Sequence, residues 1–194
     1  MKRIISSLAI ITAMVVFLLP DFTNAQPQEK PEWDKYSYIG VKKCGMCHKK
    51  DKDGNQLKVW EDSKHSKAFE TLKSDEANKI AKELGHGDVA ADAPACLKCH
   101  VPQFEVADAR LEKDFNKEDG VQCESCHGPG SEYKSMKIMK DHQAAVENGM
   151  RDFTNKEDIK AFCETCHNDE SPTFKGFEFE KMWEKIQHPI PAEG

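Results

Sequence analysis

Four copies of Cys-x-x-Cys-His carry whatever chemistry this chain performs: Cys44 to His48, Cys96 to His100, Cys123 to His127 and Cys163 to His167. Two thiols three residues apart, followed at once by an imidazole, form the attachment pattern of a c-type haem. The sulfurs add across the vinyl groups, and the adjoining His ligates iron from the proximal side. Cys44, Cys47, Cys96, Cys99, Cys123, Cys126, Cys163 and Cys166 are thus the expected attachment points, and His48, His100, His127 and His167 the proximal ligands. The expected cofactors are four covalently bound c-type haems, each with one iron. All 8 cysteines fall inside the motifs, which leaves none for a structural disulfide or a catalytic thiol. Zinc is the competing reading, since two Cys-x-x-Cys pairs can build a four-thiolate site. A zinc ribbon does not require a His after each second Cys, and all four pairs here have one.

What stands opposite each proximal His decides how a haem behaves. A His or Met gives a saturated, low-spin electron carrier, whereas an open position admits a small molecule. The 8 histidines leave His65, His86, His142 and His188 after the four motifs are served. His65 recurs with Ala68, Phe69 and Leu72 at i, i+3, i+4 and i+7, one face of an amphipathic helix. His142 shares such a face with Ile138, Met139, Ala145 and Val146. Both are candidate distal ligands. His188 lies off the apolar stripe of Phe179, Met182, Trp183 and Ile186, but sits before Pro189, where that helix must end. His86, between Gly85 and Gly87, has no periodic support. Met136, Met139, Met150 and Met182 are fallback ligands whose default role is packing.

The segments that must position these residues read as helices. Ala77, Ile80, Ala81 and Leu84 follow Ser74, an expected N-cap, and Gly85 stops the run. Thr154 with Glu157 resembles a capping box before Ile159, Phe162 and the fourth motif. No alternating strand is evident. Asp51 to Asn55 resembles a calcium loop, but its Gly is fourth where the sixth is needed, and no Glu sits twelfth, so a turn is expected. The fold class expected is mostly α: a compact, haem-templated multihaem cytochrome c fold with long loops and little or no sheet. Unequal gaps between motifs argue against a tandem repeat.

The N-terminus reads as an export signal over residues 1–25: Lys2 and Arg3, an apolar run from Ile4 to Leu19, then Thr23-Asn24-Ala25 before cleavage. An uncleaved anchor is the alternative, although the run is short for a span. Residues 26–35 are Pro- and charge-rich and read as a flexible lead-in, 36–188 as the haem-bearing domain and 189–194 as a tail. Cleavage leaves 169 residues, a small chain for four cofactors, so the macrocycles must supply much of the buried apolar surface. It also leaves 26 basic and 33 acidic residues, a formal net charge of −7. That balance speaks against nucleic-acid binding and suits a soluble protein docking on a basic patch of a partner. A periplasmic or secreted location is expected, with no stable membrane span after cleavage.

The wording around the motifs resembles a known family. Val41 to His48, Trp60 to Ala68 (WEDSKHSKA), Cys96 to Val101 (CLKCHV), Gly120 to Gly130 (GVQCESCHGPG) and Phe177 to His188 (FEFEKMWEKIQH) are similar to the tetrahaem cytochrome c-554 family. The resemblance implies a periplasmic electron carrier with closely stacked haem pairs. That family is best known for accepting electrons from hydroxylamine oxidoreductase, but related cytochromes serve other respiratory chains, so this partner is not carried over. The resemblance makes His65, His142 and His188 distal ligands, with His142 opposite His48. His65 and His188 would serve the third and fourth haems in an order the resemblance leaves open. It also implies that the second haem, on Cys96, Cys99 and His100, lacks a protein sixth ligand, which makes His86 a possible departure.

Three functions follow. The leading one is an electron carrier passing single electrons between respiratory partners, a donor and an acceptor such as an oxidoreductase or a membrane quinol-linked cytochrome, and working as a monomer or weak oligomer. The second is a redox enzyme acting on nitric oxide, nitrite or hydroxylamine at an open second haem. The third is a subunit of a polymeric haem wire.

Overall fold

A computed structural model describes residues 32–153 and 155–189. The export signal and most of the lead-in lie outside the described residues, as do Thr154 and the tail beyond Pro189. Cys, Cys and His at i, i+3 and i+4 fall on one side of an α-helix. The chain uses this: α1 (Val41–His48), α5 (Pro94–His100) and α6 (Cys123–His127) each end on the histidine of a motif. The helix thereby aims both sulfurs and the imidazole in one direction. The fourth motif starts near the end of α9 (Lys156–Glu164), and the His167 amide still donates to the Cys163 carbonyl at 3.0 Å, so the turn continues through it.

The remaining helices are short: α2 (Gln56–Glu61), α3 (Ala68–Thr71), α4 (Asp75–Glu83), α7 (Met136–Met139), α8 (His142–Glu147) and α10 (Phe179–Ile186). Ser74 caps α4 as expected, its Oγ accepting from the Ala77 amide at 3.2 Å. Gly85 ends it at φ 74°, with Gly85 donating to Lys82 and His86 to Ala81, the paired bonds of a Schellman turn. Asp51 to Asn55 is a turn. Among the described residues there is no strand beyond one parallel bridge between Tyr38 and Leu111.

Three details depart from the sequence expectation. The face running from Ile138 to Val146 is not one helix: Asp141 caps α8 by accepting from Ala144 at 3.0 Å, so His142 opens a new helix and no longer shares a stripe with Met139. α9 is capped by Asn155, whose Oδ1 accepts from Asp158 at 2.9 Å, and the Thr154 half of the expected capping box lies outside the described residues. The end of the lead-in is docked. Trp33–Lys35 makes one 3-10 turn, the Arg110 guanidinium donates to the Trp33 carbonyl, and the packed body starts there and not at Tyr36.

The buried apolar set is thin. Leu72, Ala81 and Ala90 form one cluster, and Tyr36, Tyr38, Ile39, Val41, Ala93, Tyr133, Ala145 and Phe179 are buried besides. Two of the four largest fully buried side chains are polar, Gln122 and Glu124, beside Val101 and Pro129. A chain of this length with so few large apolar residues inside agrees with cofactors supplying core surface.

Candidate haem sites

The helices bring the motifs together in twos. α1 packs on α6, and the thiols of Cys44 and Cys123 lie close enough to shift each other's acidity, joining motifs one and three. Cys99 and Cys166 are likewise close enough to interact electrostatically, joining motifs two and four, supported outside by an ion pair between Lys98 and Glu170. Cys126 and Cys163 are close enough to interact electrostatically, which links motif three to motif four. The connectivity is therefore one–three–four–two. No disulfide joins any of the eight cysteines. Burial pushes the Cys126 thiol up to about 12 and the Cys99 thiol up to about 11, whereas the neighbouring Cys44 thiol lowers Cys123. Among the described residues no three His, Cys, Asp or Glu side chains gather into a group that could hold a metal ion.

Two spare histidines face motif histidines. The rings of His65 and His167 are 6.0 Å apart between centroids, and those of His127 and His188 are 5.7 Å apart. Two imidazoles sharing one metal, at about 2 Å per metal–nitrogen bond, have centroids roughly 6 Å apart. Desolvation holds all four imidazoles below the ordinary value, His127 down to about 4 with further repulsion from His188, His48 and Arg151. A neutral imidazole is the form that binds a metal.

His188 reaches this place because α10 stops at Ile186 and Gln187 turns extended, at ψ 140°. Helical periodicity no longer governs a residue outside the helix, so its sequence position off the apolar stripe was irrelevant. His65 is set by a 3-10 turn ahead of α3, on which the third motif's approach rests. The Val121 amide donates to the His65 carbonyl at 3.1 Å, and a Cβ on Gly120 (φ 70°) would lie 2.9 Å from that same oxygen. His142 is exposed and its Nε2 lies 3.1 Å from Asp152 Oδ1. His86 is exposed on the turn after α4. Neither has a ring contact with a motif histidine among the described residues. Met136 and Met182 are exposed.

The proximal histidines of motifs one and two are held from behind. His100 Nδ1 lies 2.7 Å from the Ala68 carbonyl, which can only accept, so Nδ1 carries the proton and Nε2 keeps its lone pair for a metal. His48 Nδ1 lies 3.3 Å from Gln56 Oε1.

Several groups at the sites escaped the sequence reading. Glu124, inside the third motif and 1% exposed, accepts from the amides of Ile39 (2.9 Å), Gly40 (2.8 Å) and Gly130 (2.7 Å). Arg151 Nε donates to the Cys126 carbonyl at 3.0 Å, and its guanidinium lies over Trp33 (4.6 Å) and Phe162 (4.3 Å). It has no carboxylate partner among the described residues, and beside it Trp33 Nε1 is buried without an acceptor. A cation and an orphaned donor next to Cys126 fit a cofactor that brings carboxylates, as haem propionates do. The residues present therefore fit haem c: paired sulfurs and imidazole on one helix face, a second neutral imidazole across two of the sites, and donors for the acid groups.

A family model described as cytochrome c554 and c-prime matches residues 43–128, the stretch that holds the first three motifs. Cytochrome c-554 of Nitrosomonas europaea is 35% identical over 153 residues, covering 72% of this chain and 61% of that protein. The chain is similar to the cytochrome c554 family. A probable fumarate reductase, Ifc3, of Shewanella frigidimarina is 29% identical over 124 residues, 58% of this chain but 20% of its own length. The chain thus spans about three-fifths of the first relative and one-fifth of the second. No solved structure matches it. Similarity to that family implies covalently bound c-type haem, and among the described residues no helix is long and apolar enough to cross a membrane.

Proposed function

We propose that the protein is an exported, periplasmic tetrahaem electron carrier passing single electrons between redox proteins. The observation that carries this is the placement of His65 against His167 and His188 against His127 at metal-sharing distance, within motifs that meet in pairs. Haem c supplies a one-electron Fe(III)/Fe(II) couple, with no bond made or broken in the substrate sense. The polypeptide tethers through the eight cysteines, ligates through His48, His100, His127 and His167, and fixes the third and fourth irons with His188 and His65. Electrons would pass in the order one, three, four, two, or the reverse. His142 serves the first iron once it leaves Asp152, and His86 is the reserve ligand for the second. Residues 1–25 direct export, and 36–188 with the docked Trp33 turn form the haem domain.

A second reading, redox chemistry on nitric oxide, nitrite or hydroxylamine at the second site, is favoured by one observation. No spare imidazole faces His100 among the described residues. The haem-wire reading has no such support. Adding nitric oxide to the purified reduced protein and following its visible and paramagnetic resonance spectra separates the first two. A carrier with four saturated irons leaves the spectra unchanged, whereas a nitrosyl signal from one iron marks an open site.

A further inference from the structure

Gln56 is 9% exposed at the start of α2, and its side-chain bonds leave no ambiguity about which end faces where. Nε2 donates to the Asp53 carbonyl at 2.6 Å and to the Pro189 carbonyl at 2.8 Å, which uses both amide protons. Oε1, 3.3 Å from His48 Nδ1, is then an acceptor only, so His48 must donate. One side chain therefore touches the back of the first motif's imidazole and the carbonyl of Pro189, the residue after His188. The turn before it is shaped for this contact. Asn55 is left-handed at φ 41°, held by its Nδ2 donating to Asp51 at 2.7 Å. A Cβ on Gly54 (φ 94°) would stand 2.9 Å from both Pro189 Cβ and Gln56 Nε2.

The other pair of motifs repeats the arrangement with different parts. His100 donates to the carbonyl of Ala68, three residues beyond His65, which faces His167. In one pair the segment that presents His65 grips His100 directly; in the other, Gln56 ties the segment that presents His188 to His48.

We propose that Gln56 is a positioning residue coupling the first and third haem sites, so that ligation by His188 and the hydrogen bond on His48 are gained or lost together. This rests on the haem-binding reading above. An acceptor on the far nitrogen makes an imidazole more basic and favours the ferric state. Leucine at 56 removes the acceptor and frees Pro189. Glutamate keeps an acceptor, adds a negative charge and turns an oxygen toward the Asp53 and Pro189 carbonyls, which also frees Pro189.

The test uses haem-loaded protein with Gln56→Leu and Gln56→Glu, each titrated potentiometrically while paramagnetic resonance follows the individual irons. The expected result has three parts. The first haem's potential rises in Gln56→Leu and falls in Gln56→Glu, and in both variants a fraction of the third haem turns high-spin. Gly54→Ala, which pushes on Pro189 and touches neither histidine, should raise the same high-spin fraction and shift the first haem's potential upward. Shifts of equal sign in the two Gln56 variants, no shift at all, or a third haem that stays fully low-spin would overturn the coupling. A protein with no covalent haem would instead sink the functional reading, and the absorption of the starting material reveals that before any titration.

Discussion

Glu124 offers the sharpest quantitative test of how the haem platform is held. Its carboxylate is buried within the third motif and gathers the amides of Ile39, Gly40 and Gly130, tying the chain before α1 and the turn after α6 to one point. An unsatisfied buried donor costs about 1–3 kcal/mol, so Glu124→Ala, which strands three, loses roughly 3–9 kcal/mol. Against a total of about 5–15 kcal/mol for an ordinary domain, that is a large share. Glu124→Gln keeps the shape but turns one N–H toward an amide, and should lose roughly 2–3 kcal/mol. Burial also raises the Glu124 pKa, with the bonds from Ile39, Gly130 and Gly40 opposing it. A carboxyl raised on folding stabilises most below the ordinary carboxylate range, and that contribution is lost as pH climbs through the folded value. Guanidinium unfolding of haem-loaded protein, followed by far-ultraviolet circular dichroism between pH 4 and 8, reads both effects. Wild type should show the falling contribution and Glu124→Gln should lack it. A Glu124→Ala loss below about 1 kcal/mol would refute the reasoning, because three orphaned amides cannot cost so little in a dry site.

Other outcomes follow from the same contacts. His65→Ala and His188→Ala should each convert a different single iron from low-spin to high-spin, seen by paramagnetic resonance, with the remaining signals unchanged. Arg151→Lys should not rescue Arg151→Ala, because only a planar guanidinium stacks on Trp33 and Phe162 while donating to Cys126, and both should lose about 1–3 kcal/mol by chemical denaturation.

How far the sequence reached depended on the range of the interaction. Cys, Cys and His at i, i+3 and i+4 are one helix face, so the attachment geometry was legible directly. Ser74 and Gly85 were legible for the same local reason, since a cap and a Schellman turn involve neighbours. The failures came where a local stop or a distant partner decided. Asp141 splits a run that reads as one apolar face and leaves His142 at a helix start. The end of α10 at Ile186 frees His188 from the periodicity used to judge it. Gln56 meets Pro189 and Glu124 meets Ile39 across many tens of residues, and neither pattern nor propensity announces such a bond. Arg151 gave no sequence signal, because its role depends on Trp33, Phe162 and Cys126 arriving from three separate segments.

The central claim, that four iron porphyrins are tethered to the four sulfur pairs and two are clamped by His65 and His188, is tested most directly on exported, purified protein. Intact mass after denaturation, joined to a count of low-spin irons in the oxidised state, decides it. The expected polypeptide is heavier by four haems, with at least two irons low-spin through paired imidazoles. A bare polypeptide mass, fewer than four haems, or four high-spin irons would contradict it.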